Sequence, residues 1–521
     1  MKKTNIVVVM VDQMRADLRK SRGFALDTMP FLDRFGKESC DFERAYTANP
    51  TCMPARVSLF TGRVPSCHNV RTNHNAEDVV YIKDMVDVLH ENGYLVGLSG
   101  KNHSHLREED FDFWKTNGHL GAESEQALTE KEKSFDEYLK TLHFCDSLEP
   151  SPYSVEEQLP YRNVTGFFEF ADSAIKNNKP FFCWVSMAEP HNPYQVPEPY
   201  FNMFPPEDFP EIKTSPKDLE GKDDKFAFAR WSWEKVYGAD IDKRIARDRS
   251  NYLGMLRLID DQFKRLVDGI KERGIYDDTI IIFLSDHGEF VGEYGIIRKG
   301  PAVSEPLAHI PLVFHCPNIK NTGINRKEFV NIIDIFPTLC DMLDIEIPFG
   351  VQGKSFKPIL EGTSYPEKDF SIGYSESGFG GLYWDKEDAL TPEKEGATID
   401  YSAFDCLNTW SQAGQVRMIR KDRYKYIADM MGNYWLYDIE VDPLELKDLS
   451  KDEEYKDILL DMSLEMNAMI LRLADPIPSC ASRYRTKVHP KGYWFDKDFH
   501  ITKDPGVRYY PVECPKRRKS N

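Results

Sequence analysis

The sequence predicts an α/β protein: a mostly parallel sheet flanked by helices, then a smaller C-terminal α+β unit. Three observations carry that expectation. Short, continuously apolar, β-branched runs end abruptly in charged residues, as strands covered on both faces do. A long helical pattern precedes one of these runs. Beyond about residue 412 the pattern changes to strand-like alternation.

The first run, Ile6–Val11, ends in Asp12-Gln13. A helix-like segment, Asp84–Glu91, is closed by Asn92-Gly93. The next strand, Tyr94–Leu98, ends in Ser99-Gly100-Lys101-Asn102-His103. Pro180–Met187 ends in Glu189-Pro190-His191-Asn192-Pro193. From Ser250 to Arg273, Leu253, Leu256, Ile259, Phe263, Leu266 and Ile270 recur at helical spacing, and Gly274 supplies the stop. Thr279–Leu284 is the fourth run and ends in Ser285-Asp286-His287-Gly288-Glu289. Ligands of open α/β sheets bind beyond the carboxyl ends of the strands. Four such ends bearing polar residues predict one site along one sheet edge.

Residues 200–245 and 380–412 read as irregular insertions. Val416–Arg420, Tyr424–Ile427 and Asn433–Asp438 read as strands of an antiparallel sheet, and Glu454–Leu473 as a helix. From Asp475 the chain is polar, with a basic end at Lys516–Lys519, and reads as a solvated or wrapping extension. The expected division is a main domain at 1–380 and a C-terminal subdomain with tail at 381–521.

Composition narrows the function classes. Hydrophobic residues make up 41% and aromatics 12% of 521 residues, enough for a sizeable core. The formal charge of -18 argues against a nucleic-acid partner, and an anion would need positive groups concentrated locally. No apolar run approaches the ~18 residues of a membrane span. The ten cysteines form no Cys-x-x-Cys pair, which argues against a structural zinc site. No export signal is visible at Met1–Asn5, so the expected location is cytoplasmic as the chain is written, and periplasmic or secreted if its start was trimmed.

The most informative string is Thr51-Cys52-Met53-Pro54-Ala55-Arg56, followed by Thr61-Gly62-Arg63. Pro54 belongs in a first helical turn, so Cys52 should stand at a helix N-terminus, where free N–H groups favour negative charge. Arg56 would lie one turn along and could point at the same anion. A capped surface helix with an incidental cysteine fits the same local pattern. Two other strings fail: Gly100-Lys101 has Leu95 where a P-loop needs glycine, and Gly373–Ser377 lacks the closing glycine of a nucleophile elbow. Asn163-Val164-Thr165 fits a glycosylation sequon.

Cys-x-Pro-x-Arg with a following Thr-Gly-Arg resembles the signature of type I sulfatases, of the alkaline-phosphatase-like superfamily. Asp12-Gln13, Gly100–His103, Pro190–Pro193, Ser285–Glu289, Lys299 and Leu436–Pro443 match that family in order, over about residues 5–450. The resemblance implies a large mixed, mostly parallel sheet flanked by helices, with the catalytic domain at 1–380. It implies that a maturation enzyme oxidises Cys52 to formylglycine, whose hydrate attacks the sulfur of a sulfate ester in two covalent steps. It implies a divalent cation held by Asp12, Gln13, Cys52, Asp286 and His287. Such oxygen-rich ligation suits Ca²⁺, with Mn²⁺ as the alternative. Lys101 and Lys299 would balance sulfate charge, His103 would assist the nucleophile, and His191 would protonate the leaving alcohol.

One departure from the family pattern concerns Gln13, where many sulfatases carry a second Asp. The Asp-Gln pair is shared with choline sulfatases and phosphonate monoester hydrolases, so those substrates stand as alternatives to a sulfated carbohydrate. The Lys101-x-His103 pair favours sulfate over phosphonate. Trp114, Tyr194, Trp231, Trp233, Tyr383 and Trp384 lie in the variable segments, where an aromatic ring could stack on a sugar and most rings pack the fold.

Overall fold

Ile6–Val11 has no polar face to offer water, and it occupies the middle of an eight-stranded sheet. The sheet order is Gly323–Asn331, Cys40–Tyr46, Leu312–His315, Thr279–Ser285, Asn5–Asp12, Phe181–Pro190, Leu95–Gly100, Phe113–Lys115. Leu312–His315 is antiparallel to both neighbours, and the other pairs are parallel. The architecture is therefore the mixed, mostly parallel sheet expected, and all four apolar runs lie side by side in it. The computed structural model describes residues 4–210, 212–220, 222, 224–300, 302–378 and 414–475, and the backbone of 516–517.

Alternation along the central strand feeds two cores. Ile6, Val8 and Met10 pack with Leu59, Phe60, Val86, Leu89 and Phe336 on one face. Val7, Val9 and Val11 pack with Val164, Phe167, Leu253, Leu256 and Phe263 on the other. Each such side chain, fully buried, contributes about 1.5–3 kcal/mol. The second face is covered by helices Leu159–Lys176 and Ile241–Glu272. The latter has 32 residues and begins nine positions before the expected Ser250, inside the segment read as irregular.

That insertion needs a second correction, because Asp224–Tyr237 is a 14-residue helix. Its sequence lacks a clean apolar stripe, and its helicity comes from docking: Phe226 and Ala229 bury against Phe290 and Tyr294. Residues 380–412, with Tyr383 and Trp384, lie outside the described residues.

The C-terminal antiparallel sheet has four strands, Ile372–Ser377, Val416–Lys421, Tyr424–Asp429 and Tyr434–Asp438, backed by helix Lys456–Arg472. Its first strand precedes the expected boundary at 380. Beyond Asp475, only Lys516–Arg517 is described, as a strand paired with Val80–Tyr81. No helix among the described residues is long and apolar enough to cross a membrane. Seven described cysteines are free. Asn163 is fully buried and hydrogen-bonds Asn117 and Ser186, so the sequon is inaccessible to a glycan in the folded chain.

Candidate active site

Parallel pairing brings the four strand ends together. Val11 is level with Ser285 on one side and Met187 on the other, and Gly100 is level with Ser186. At Gly100 the backbone turns with φ +117, and an added Cβ would lie 1.8 Å from the Ser186 carbonyl oxygen, so only glycine fits. Lys101 N–H donates to that same oxygen at 2.8 Å, which aims the lysine across the sheet edge.

Helix Cys52–Thr61 supplies the fifth element. All ten of its residues are buried, and it ends at Gly62 in the left-handed region. Cys52 is its first residue, as the position of Pro54 predicts. Cys52 Sγ lies 3.2 Å from His287 Nε2 and 3.6 Å from Asp12 Oδ1. Ligand atoms of Asp12, Cys52, Asp286 and His287 all fall within 4.8 Å of one another. His287 Nδ1 donates to the Gly288 carbonyl at 2.8 Å, leaving Nε2 facing the cluster. Two carboxylates and an imidazole beside the Cys52 sulfur form a donor set that could hold a divalent cation.

Arg56 does different work from the anion contact its helical position suggests. Its Nε donates to Asp286 at 2.8 Å and its Nη2 to Asp12 at 3.1 Å. Its Nη1 donates to Ser186 Oγ at 2.8 Å and to the Lys101 carbonyl at 3.1 Å. The guanidinium thus clamps two carboxylates to two strand ends, and it is fully buried in doing so.

Gln13 is held at φ +73, a costly conformation for a side chain of this kind. Its N–H donates to Asp286 Oδ1 at 3.0 Å, and Tyr252 donates to its carbonyl at 2.7 Å. Its side-chain nitrogen donates to Glu289, and its oxygen accepts from Lys299 Nζ at 2.9 Å. A cation bound at Gln13 would therefore share that oxygen with Lys299. Lys299 Nζ also lies 3.2 Å from His191 Nε2, while His191 Nδ1 donates to the Asn192 carbonyl at 2.8 Å.

Lys101 Nζ reaches Asp12 Oδ2 and lies 2.7 Å from His119 Nε2. His103 adopts φ +41, and its Nδ1 is buried without a partner. It makes no hydrogen bond to Cys52. Burial, Lys101 and Arg56 push its imidazolium pKa well down. The nominated ligand, lysine, arginine and histidine residues thus converge on this edge, although His103 does so without touching Cys52.

Electrostatics set the site apart. Burial and Asp12 oppose ionisation of Cys52, yet Lys101, Lys299 and His287 together pull it down to about 6. Burial and the neighbouring Asp12 raise Asp286, whereas the cations around Asp12 hold it well below the usual carboxylate range despite burial. Two groups were missed in the sequence. Glu289, quoted only as part of a motif, accepts from Gln13 and from Tyr194 at 3.1 Å. His119 sits in the short Gly-His-Leu-Gly turn, whose paired glycines are a hairpin signal. Of the aromatics, Tyr194 and Trp233 are buried packing residues.

A mostly parallel sheet with an acid-lined, lysine-flanked cysteine at its carboxyl edge defines a hydrolase of the alkaline-phosphatase-like class. The sulfatase family model matches residues 4–345, and the chain belongs to the sulfatase family: it is a sulfuric ester hydrolase. An arylsulfatase of Clostridium perfringens is 28% identical over 487 residues, covering 87% of this chain and 92% of that protein. The phosphonate monoester hydrolase of Agrobacterium radiobacter shares the fold, with a TM-score of 0.72, 23% identity, and 94% and 99% of the chains covered. A protein solved in complex with its substrate D-glucosamine-2-N,6-O-disulfate gives a TM-score of 0.68 at 17% identity, covering 92% and 99%.

Proposed function

We propose that this protein cleaves the sulfate ester of a sulfated carbohydrate with a formylglycine made from Cys52. One observation carries the reading: Cys52 opens a buried helix inside the Asp12–Asp286–His287 cluster, with Lys101 on Asp12 and Lys299 on Gln13. Asp12, Asp286, His287, the converted residue 52 and the Gln13 oxygen would hold the cation, with Ca²⁺ our choice and Mn²⁺ the alternative. When bound, that ion polarises sulfate oxygens and lowers the pKa of the nucleophile. Residue 52, once oxidised by the maturation enzyme, offers a hydrated aldehyde: one hydroxyl attacks sulfur, and loss of the proton from the other expels sulfate.

The chain's own groups do the rest. Arg56 fixes the two carboxylates, so they need no reorganisation when charge develops. Lys101 and Lys299 take up the negative charge of the sulfate. His191 faces the Lys299 ammonium through Nε2, and this pair can pass a proton to the departing alkoxide as its bond to sulfur breaks. His103 lies beside Lys101, where it can take the proton that regenerates the aldehyde.

A second reading rests on Gln13. It removes one negative charge beside the cation, as the resemblance to choline sulfatases and phosphonate monoester hydrolases implies, so an ester of those classes or a phosphate ester is the alternative substrate. The Lys101–His103 pair favours sulfate. Support for the carbohydrate comes from the polar segments around the site and from the sulfated glucosamine bound by a protein of this fold. Two measurements test the whole: the mass of the Cys52 peptide, and turnover of sulfated mono- and disaccharides beside choline sulfate and 4-nitrophenyl phosphate. An unmodified thiol in a fully active protein would refute the nucleophile. Preference for choline sulfate or the phosphate would refute the substrate.

A further inference from the structure

His119 touches two of the residues to which catalysis has just been assigned, and neither the family motif nor the mechanism uses it. Its Nε2 is 2.7 Å from Lys101 Nζ. An ammonium only donates, so Nε2 must accept, and the ring proton sits on Nδ1. Nδ1 is buried without a partner. Burial and Lys101 push the imidazolium pKa well down, in keeping with a neutral ring. The face of the same ring stacks on His191, with centroids 3.9 Å apart and planes 30° apart.

The segment bearing His119 is built to hold still. It is the tip of a hairpin made by Asn117–Gly118 and Gly121–Ala122. Gly121 has φ +108, and an added Cβ would lie 2.2 Å from Asp136 Cγ. Asn117 donates to Asn163 at 2.7 Å and accepts from Arg162 at 3.1 Å. Arg162 is bound to Asp136 at 2.6 Å, and Asp136 accepts the Ala122 N–H at 2.9 Å. This closed, buried network ties both arms of the hairpin to helix Leu159–Lys176. Phe144 meets the His119 ring edge-on at 6.1 Å.

We propose that His119 is a positioning residue for sulfate ester cleavage, fixing the Lys101 ammonium with its ring nitrogen and the plane of His191 with its ring face. Among the described residues, Asp12 and His119 take two of the three Lys101 N–H bonds, which leaves the third for a sulfate oxygen. Without His119 the ammonium would have Asp12 as its one side-chain partner and could swing toward it. The stack is the second constraint. The hydrogen bonds of His191 run through its ring nitrogens, to Asn192 and Lys299, and do not by themselves fix the tilt of the ring. Misplacing a reacting group by about 1 Å can cost roughly 10²-fold. The His191 half rests on the leaving-group role proposed above; the Lys101 half does not.

Three substitutions separate the two contacts. His119→Phe keeps a ring on His191 and removes the acceptor for Lys101. His119→Gln keeps an acceptor and removes the ring. His119→Ala removes both. Each is assayed, after a thermal melt confirms folding, with 4-nitrophenyl sulfate, with phenyl sulfate, and with inorganic sulfate as a competitive inhibitor. His119→Phe should weaken sulfate inhibition about tenfold and lower kcat/KM equally for both esters. His119→Gln should leave sulfate inhibition unchanged and lower kcat for phenyl sulfate roughly tenfold more than for 4-nitrophenyl sulfate. His119→Ala should show both effects. Uniform losses in all three variants, or no losses, would overturn the proposal. If His191→Ala itself fails to distinguish the two esters, the acid role falls, while the sulfate inhibition of His119→Phe still decides the Lys101 half.

Discussion

At the seam between the two sheets, Glu305 and Glu445 meet Arg420 and Lys425; at the strand ends, Asp12 and Asp286 meet Arg56, Lys101 and Lys299. Both clusters are buried and both pair acids with cations, but the strand ends also set two carboxylates and a thiol against one another. At the seam each acid is answered directly. Glu305 accepts from Tyr46 at 2.6 Å, Arg420 at 2.8 Å and Lys425 at 3.2 Å, and Glu445 accepts from Lys425 at 2.7 Å. Burial opposes ionisation of Glu305, but Lys425 and Arg420 outweigh it and draw the carboxyl down to about 2. At the strand ends Asp12 and Asp286 face each other, and Asp286 is raised by burial and by that neighbour. Lys101 reaches Asp12, and Lys299 reaches Gln13 beside it. A saturated cluster is structural. One that crowds two carboxylates and a thiol together, and holds Asp286 up in spite of Arg56, has the perturbed electrostatics of a functional site.

The largest expected effect comes from removing the Cys52 sulfur that the strand-end cluster surrounds. Cys52→Ala should lower kcat by about 10⁴–10⁶-fold with the melting temperature little changed, by steady-state kinetics and calorimetry. Near wild-type turnover would end the distinction between the clusters. Asp286→Ala comes next: metal and activity should disappear together, the latter by about 10³-fold. Full metal occupancy by elemental analysis would show that the facing acids are not the ion's site.

His191→Ala should be selective. Loss of a general acid costs about 10²–10⁴-fold when the leaving group is poor. Turnover of a sugar sulfate or phenyl sulfate should fall by that much, and turnover of 4-nitrophenyl sulfate far less. Equal losses would move the proton donor to Lys299 or His103.

The seam should answer with stability and leave kcat unchanged. Removing one partner strands the other charge in the interior, so Lys425→Met should cost about 3–5 kcal/mol in denaturant unfolding. Glu305 also predicts a pH response. Its folded pKa is depressed from 4.5 to about 2, so its contribution is present above about 4.5 and fades as pH falls toward 2. That contribution is roughly 3 kcal/mol, the smallest effect, read as the change of unfolding free energy between pH 5 and pH 2 in wild type against Glu305→Gln. A Lys425→Met protein with normal stability and poor turnover would reverse the assignment of the two regions.

The four buried strands, the polar residues at their ends, the helix start at Cys52 and the donor types of the site were legible in the residues themselves. Those signals are local, because period and end residues are read within about ten positions. The helix Asp224–Tyr237 was not legible, since its order comes from packing on Phe290 and Tyr294 rather than from its own periodicity. Tertiary structure alone decided who touches whom. Arg56 was placed one turn along its helix by the sequence, but its partners Asp286 and Ser186 stand 230 and 130 residues away. His119 meets Lys101 across 18 residues and His191 across the sheet edge, because parallel strands of distant sequence end at one level. Pairing register is a property of the assembled sheet. No window of sequence carries it, so the residue types of the site were legible and its geometry was not.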